Sequence, residues 1–260
     1  MTANNYPIGI FDSGVGGLSI LQSIRKLLPN ENLIYVADSA FVPYGEKSEA
    51  VIESRVMAIA ELLAKKNIKA LVVACNTATA AAINTLRNQY SFPIIGLEPA
   101  LKSAAENTHN SKVGILATQA TLDSQKYLAL KERFASRLQL IEKASPLFVD
   151  LVENAPTLHD REMRLIEKEL MPFKSAQIDS LVLGCTHYPF LTEAIASFMG
   201  PEVILYESGM PVALELQRRI QMYLNNSEQP AAVEYYSSNA SRSQQAFDTI
   251  LRKKVEINPF

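Results

Sequence analysis

The chain has 260 residues, 48% of them hydrophobic and 20% charged, with a formal net charge of −2. That is the balance of a globular protein of one large or two modest domains, without the basic excess that nucleic acid would require or an apolar run long enough to span a membrane. Two cysteines, Cys75 and Cys185, are too few for a disulfide framework, and the opening MTANNYPIGIFDSG lacks the basic and apolar regions of a signal peptide, so a reduced, cytoplasmic protein is expected.

In chain order, short apolar runs alternate with helical spacing. YPIGIF (6–11) reads as a strand ending at Asp12, and residues 19–28 read as a helix with Leu18, Leu21, Ile24 and Leu28 near one face. LIYVAD (33–38) is a second strand. A helix over about 48–66 carries Ile52, Val56, Ile59, Leu62 and Leu63. ALVVAC (70–75) is a third strand, followed by a helix in TATAAAINTLRNQY, and FPIIGL (92–97) is a fourth. Then come KVGILAT (112–118), helices near 122–135 and 160–171, and strands at 138–143, 179–185 and 202–208. After Gly209 a long amphipathic helix is expected with Val212, Leu216, Ile220 and Tyr223 as its spine. VEYYSS and a helix near 243–253 complete the chain. Strands separated by helices predict an α/β fold with mostly parallel sheets.

Two stretches occur twice. LVVACNTAT (71–79) is matched by LVLGCTHYP (181–189), and IGIFDS (8–13) by VGILAT (113–118), at nearly the same separation along the chain. Two similar halves follow. Ligands bind at the carboxyl ends of parallel strands, and Asp12, Asp38, Cys75 and Cys185 all fall there. If the halves face each other, one thiol lies on each side of a shared cleft.

FDSGVGGLS (11–19) does not complete a dinucleotide fingerprint, since Ser19 stands at the third glycine position, and it is not a phosphate loop. It is either a helix start that holds an anion or a tight turn that needs glycine. Asp12 could cap that helix or serve as a carboxylate in the cleft. Either cysteine could be a small buried hydrophobe. Cys75, however, opens a helix whose positive end favours thiolate. His187 shares a strand end with Cys185, whereas His109 and His159 lie in polar loops. Two cysteines and three histidines make a poor zinc set, and neither a metal nor an organic cofactor is expected.

Two opposed thiols suit a reaction that takes a proton from one face of a carbon and returns one to the other. A thiol amidohydrolase built on Cys185 and His187 would leave Cys75 idle. A protein that only binds an amino acid would need neither thiol.

FDSGVGGLS, VPYGEKS (42–48), ACNTAT and LGCTHYPFL, in this order over almost the whole chain, resemble the glutamate racemase family of the aspartate/glutamate racemase superfamily. That family makes D-glutamate for bacterial peptidoglycan. The resemblance implies two pseudo-symmetric domains, residues 1–98 plus 211–260 and residues 99–210, with the active site between them. It implies that Cys75 works on D-glutamate with Asp12 assisting, and Cys185 on L-glutamate with His187 assisting. Asp12, Ser13, Pro43, Tyr44, Gly45, Asn76, Thr77, Thr118, Thr121, Glu153, Thr186 and His187 match substrate positions. It also implies a homodimer. Aspartate racemases of the superfamily usually carry Gly-Cys-Thr-Glu in the second motif, so His187 favours glutamate. Glu207, and YYSSN at 235–239, depart from the family pattern outside the cysteine motifs.

Overall fold

The computed structural model describes residues 5–155, 157–225 and 231–260. Its elements run β1 (Ile8–Asp12), α1 (Leu18–Leu27), β2 (Leu33–Ala37), α2 (Glu49–Lys65), β3 (Ala70–Val73), α3 (Asn76–Gln89), β4 (Ile94–Gly96) and α4 (Leu101–Asn107). There follow β5 (Lys112–Ala117), α5 (Gln119–Leu122), α6 (Gln125–Glu132), β6 (Gln139–Ala144), α7 (Pro146–Asn154), α8 (Asp160–Ala176) and β7 (Ser180–Leu183). The chain ends with α9 (Thr192–Met199), β8 (Ile204–Tyr206), α10 (Gly209–Ile220), β9 (Val233–Ser237), α11 (Ala240–Leu251) and β10 (Ile257–Pro259).

Among the described residues these strands form two sheets, ordered β10-β9-β2-β1-β3-β4 and β6-β5-β7-β8. Every pairing is parallel. Central strands of parallel sheets are covered on both faces and read as continuous apolar runs. Accordingly β1, β2, β3 and β7 are buried throughout, while the edge strands β6 and β8 are partly exposed.

The repeat seen in the sequence is a repeat of register. Gly9 of β1 sits opposite Leu71 of β3, and Gly114 of β5 opposite Leu181 of β7. Each of these glycines has neighbours where a Cβ would lie: Leu63 and Ile68 at Gly9, and Phe173 and Ile178 at Gly114. The same small residue thus admits a covering helix at the same place in both sheets.

After the second sheet the chain returns to the first. α10 packs on α1, and β9 pairs with β2. α1 buries Leu18, Leu21 and Ile24, with Arg25 and Lys26 at its C-terminal turn, where cations suit the helix dipole. α10 buries Val212, Ala213, Leu216 and Ile220 and ends at Ile220. Tyr223 is therefore not part of its spine: it lies in the 3₁₀ turn beyond and is exposed. One apolar cluster runs from Ile8 and Val15 through Phe148 and Tyr188 to Leu216 and Phe247, joining the two halves through a common core. No described helix is long and apolar enough to cross a membrane.

Candidate active site

The carboxyl ends of β1, β3, β5 and β7 converge. Each strand is buried up to its last residue, and each is then released into a polar stretch: Ser13 after β1, Cys75 and Asn76 after β3, Thr118 after β5, Cys185 after β7. A pocket between the halves is lined by Ser13, Pro43, Tyr44, Gly45, Cys75, Asn76, Thr77, Thr118, Val149, Gly184, Cys185, Thr186 and His187. Both thiols are free, buried and part of its wall. The cavity is about 20 Å³, room for one water molecule. A far larger cleft of about 1000 Å³ opens outside it and shares Thr77 with it.

Each thiol begins a hydrogen-bonded relay. On one side the Cys75 thiol donates to Ser13 Oγ at 3.8 Å, and the Ser13 hydroxyl donates to Asp12 Oδ1 at 3.5 Å. Asp12 also accepts from the Gly14 N–H at 2.8 Å and, across the halves, from the Thr186 hydroxyl at 3.0 Å. On the other side Cys185 Sγ lies 3.6 Å from His187 Nδ1, and His187 Nε2 lies 2.7 Å from Glu153 Oε1. Glu153 accepts in turn from the Val15 N–H at 2.8 Å, again across the halves. Asp12, Thr121 and Glu153 do not line the pocket between the thiols. Asp12 stands behind Ser13 and Thr186, Glu153 stands behind His187, and Thr121 lines a small neighbouring cavity with Asn76.

The turn's three glycines are seats for these groups. A Cβ on Gly14 would collide with Glu153 Oε1, one on Gly16 would collide with the His187 ring, and one on Gly17 would come 2.6 Å from Asp12 Cβ. The turn is thus neither a dinucleotide cradle nor only a tight bend. Nor does Asp12 cap the helix, because the N-cap of α1 is Gly17.

Charge states differ between the two sides. Burial pushes the Asp12 carboxyl up to about 6, against the opposing pull of His187 and its hydrogen bonds. Burial would lower His187, but its bonds to Cys185 and Glu153 outweigh that and raise it well above the usual histidine value, so the ring carries two N–H donors at neutral pH. Cys75 corrects the sequence expectation. The helix start does act on it, since the Ala78 N–H donates to Sγ at 3.4 Å. Burial and the Asp12 charge win nonetheless and push the thiol up to about 12.

At the opposite end of the pocket, Thr118 Oγ1 lies 2.9 Å from Thr77 Oγ1 and 2.8 Å from Thr121 Oγ1, a cluster of hydroxyls joining α3 to α5. Gly45 abuts Thr118, with a would-be Cβ 3.1 Å away. The Pro43–Gly45 stretch is held from behind. The Tyr44 hydroxyl donates to Asp38 Oδ2 at 2.7 Å, and Arg55 grips both Asp38 oxygens at 2.9 and 2.7 Å. Asp38 stood out only as a strand-end acid, and nothing in the sequence singled out Arg55, Val149 or the Val15 N–H. His109 and His159 lie away from the pocket, the latter as the N-cap of α8. No cluster of three or more metal-ligating side chains occurs among the described residues.

The family model for Asp/Glu/hydantoin racemases matches residues 8–213, from the first strand through both cysteine motifs. The chain belongs to the Asp/Glu/hydantoin racemase family. A curated relative, the glutamate racemase of Ectopseudomonas mendocina (strain ymp), is 44% identical over 263 residues, covering 100% of both chains. Among solved structures, Escherichia coli glutamate racemase in complex with L-glutamate and the activator UDP-MurNAc-Ala superposes with a TM-score of 0.89 at 32% identity, over 98% of each chain. Glutamate racemase isoform RacE1 from Bacillus anthracis gives 0.89 at 30% identity, over 99% of this chain and 98% of its own. This chain is accordingly an isomerase of the racemase class. The racemase tolerates little at its glycine turn: Gly16→Ala forces the His187 ring aside and is expected to lower kcat by about 10²-fold while destabilising the fold by only about 1–3 kcal/mol, read from steady-state turnover and a urea melt.

Proposed function

We propose that this racemase interconverts L- and D-glutamate without a cofactor, using Cys185 and Cys75 on opposite faces of the α-carbon. The observation that carries the reading is the pocket itself, in which two buried thiols from equivalent strand ends each head a separate relay. The glutamate relatives, over the whole chain length, and the L-glutamate held by the Escherichia coli enzyme support the substrate.

In the forward direction Cys185, as thiolate beside the His187 imidazolium, takes the α-proton of L-glutamate. The electron pair left behind delocalises into the α-carboxylate. The Cys75 thiol, kept protonated by burial, delivers its proton to the other face. Cys75 is then the thiolate and Cys185 the thiol, which is the state that acts on D-glutamate. Asp12, through Ser13, and Glu153, through His187, adjust the two sides. Ser13, Asn76, Thr77, Thr186 and His187 hold the ammonium and α-carboxylate, while the backbone at Pro43–Gly45 and the Thr118 hydroxyl, held from behind by Thr121, meet the side-chain carboxylate. Because the closed cavity is far too small for glutamate, the halves part to admit it.

The same reading makes the domains residues 1–98 plus 211–260 and residues 99–210, places the enzyme in the cytoplasm as a homodimer, and assigns its D-glutamate to peptidoglycan precursors. One observation favours a second reading. Cys185, His187 and Glu153 form a nucleophile–base–acid line of the kind thiol hydrolases use.

The test is L-glutamate in D₂O with purified, reduced protein, following optical rotation and α-deuterium together. Loss of rotation with deuterium in the new enantiomer is expected. Ammonia release from an amide substrate, without α-deuterium in glutamate, would transfer the site to hydrolysis.

A further inference from the structure

Tyr35 lies in the middle of β2, fully buried, its ring edge-on to Phe247 of α11 at 5.7 Å between centroids. A phenylalanine would fill the same space. The hydroxyl is the part that needs explaining, because a buried hydroxyl must find a partner. It donates to the Gly14 carbonyl at 2.7 Å, and the Gly17 backbone N–H also bonds its oxygen.

That carbonyl belongs to the Gly14–Val15 peptide, and the N–H of the same peptide is the group that donates to Glu153 Oε1. A single hydrogen-bonded line therefore runs from the Tyr35 hydroxyl through one peptide unit to Glu153, His187 and Cys185, with successive distances of 2.7, 2.8, 2.7 and 3.6 Å. It starts in the first sheet and ends on the thiol of the second.

We propose that Tyr35 is a positioning residue for the Glu153–His187–Cys185 arm, acting through the Gly14–Val15 peptide and never touching substrate. A peptide beside glycine rotates easily. Turned over, this one would aim its carbonyl at the Glu153 carboxylate and leave that oxygen without its donor. The Tyr35 bond holds the carbonyl end in place and polarises the peptide, which strengthens the N–H at the other end. The phenol keeps its proton for this task, since burial and the nearby acids Asp12 and Glu153 raise it well above its ordinary value. The inference rests on the two-thiol reading, in which the state of Cys185 is set by His187.

Tyr35→Phe tests it. The groups that set the charge on His187 are Cys185, Glu153 and Asp12. With the peptide free to turn its carbonyl toward Glu153, the carboxylate is pushed off the His187 ring and the imidazolium gives up its proton at lower pH. The alkaline limb of the kcat/KM profile should move to lower pH, and kcat should fall about tenfold with KM little changed. In a Glu153→Gln background the same substitution should change kcat by less than about twofold, because the line is already broken. Phe247→Leu, which disturbs the packing around the ring but leaves the hydroxyl, should lower the melting temperature without moving the limb. An unmoved limb in folded Tyr35→Phe, or an equal loss in both backgrounds, would overturn the proposal. So would an unmoved limb in Glu153→Gln, whatever the fate of Tyr35→Phe. Wild-type protein that fails to racemise glutamate would instead remove the functional reading on which this one stands.

Discussion

Cys75→Ser should lose racemisation by about 10³-fold, the scale of a displaced acid–base group, while keeping or raising its melting temperature. The two effects separate because Cys75 does two things. It is the N-cap of α3, its sulfur accepting from the Ala78 N–H. Serine is among the best N-cap residues, so the cap survives and improves. What serine cannot do is alternate between acid and base at a carbon, since its hydroxyl holds its proton far more tightly than a thiol. Cys185→Ser should lose racemisation to the same degree. The pair of variants also decides between the two readings of the site. A hydrolase working through Cys185 would survive Cys75→Ser with most of its turnover, whereas a two-thiol racemase loses both directions together. Steady-state rates from L- and from D-glutamate, with a thermal melt of each variant, are the measurements. Retained racemisation in Cys75→Ser would remove Cys75 from the mechanism.

Asp12→Asn should do the opposite to stability at neutral pH from what loss of a buried, well-bonded group normally does. Asp12 is completely buried and its carboxyl is raised from 3.8 to about 6. A carboxyl raised on folding favours the native state while it is protonated. Its contribution is full below about pH 4 and is lost as pH rises through about 6, leaving a penalty on the order of 3 kcal/mol at pH 8. Asparagine keeps the acceptor for the Gly14 N–H, and the Thr186 hydroxyl can reverse to accept from the amide. The variant should therefore be more stable than the parent at pH 8 by up to about 3 kcal/mol, with the gain gone at pH 4. It should also be slower by about 10²-fold, because the charge that tunes the Cys75 side is missing. Urea melts at pH 4, 6 and 8 check the first half, and turnover checks the second. A variant less stable than the parent at pH 8 would mean that His187 and the hydrogen bonds outweigh burial at this carboxylate.

Strands and the long amphipathic helices were legible because their pattern is local: β1, β3, β5 and β7 are buried runs that are apolar except for a polar residue at one end of β1, β5 and β7, and α1 and α2 keep one buried face. α7 was not. PLFVDLVEN buries Phe148, Val149, Leu151, Val152 and Glu153, and over nine residues its short apolar runs LFV and LV do not tell a helix from a strand. α4 and α9 are too short to show one, and three residues at Ile257–Pro259 carry no strand signal at all. At the site, the two thiols, Asp12 and His187 could be placed by strand ends alone. The link from Val15 to Glu153 could not, because it joins a backbone group to a side chain far along the chain. The state of Cys75 was misread for a related reason. A helix start is visible in sequence, but the burial that overrules it belongs to the closed halves.

The matched registers of β1 with β3 and of β5 with β7 set the same strand arrangement twice in one chain. A single unit carries one thiol at one strand end and reaches one side of a tetrahedral centre, so on the proposed mechanism it could swap a hydrogen but never invert a configuration. On that mechanism, configuration changes only where the two strand ends oppose each other. The return of α10, β9 and α11 onto the first sheet ties that opposition into one polypeptide.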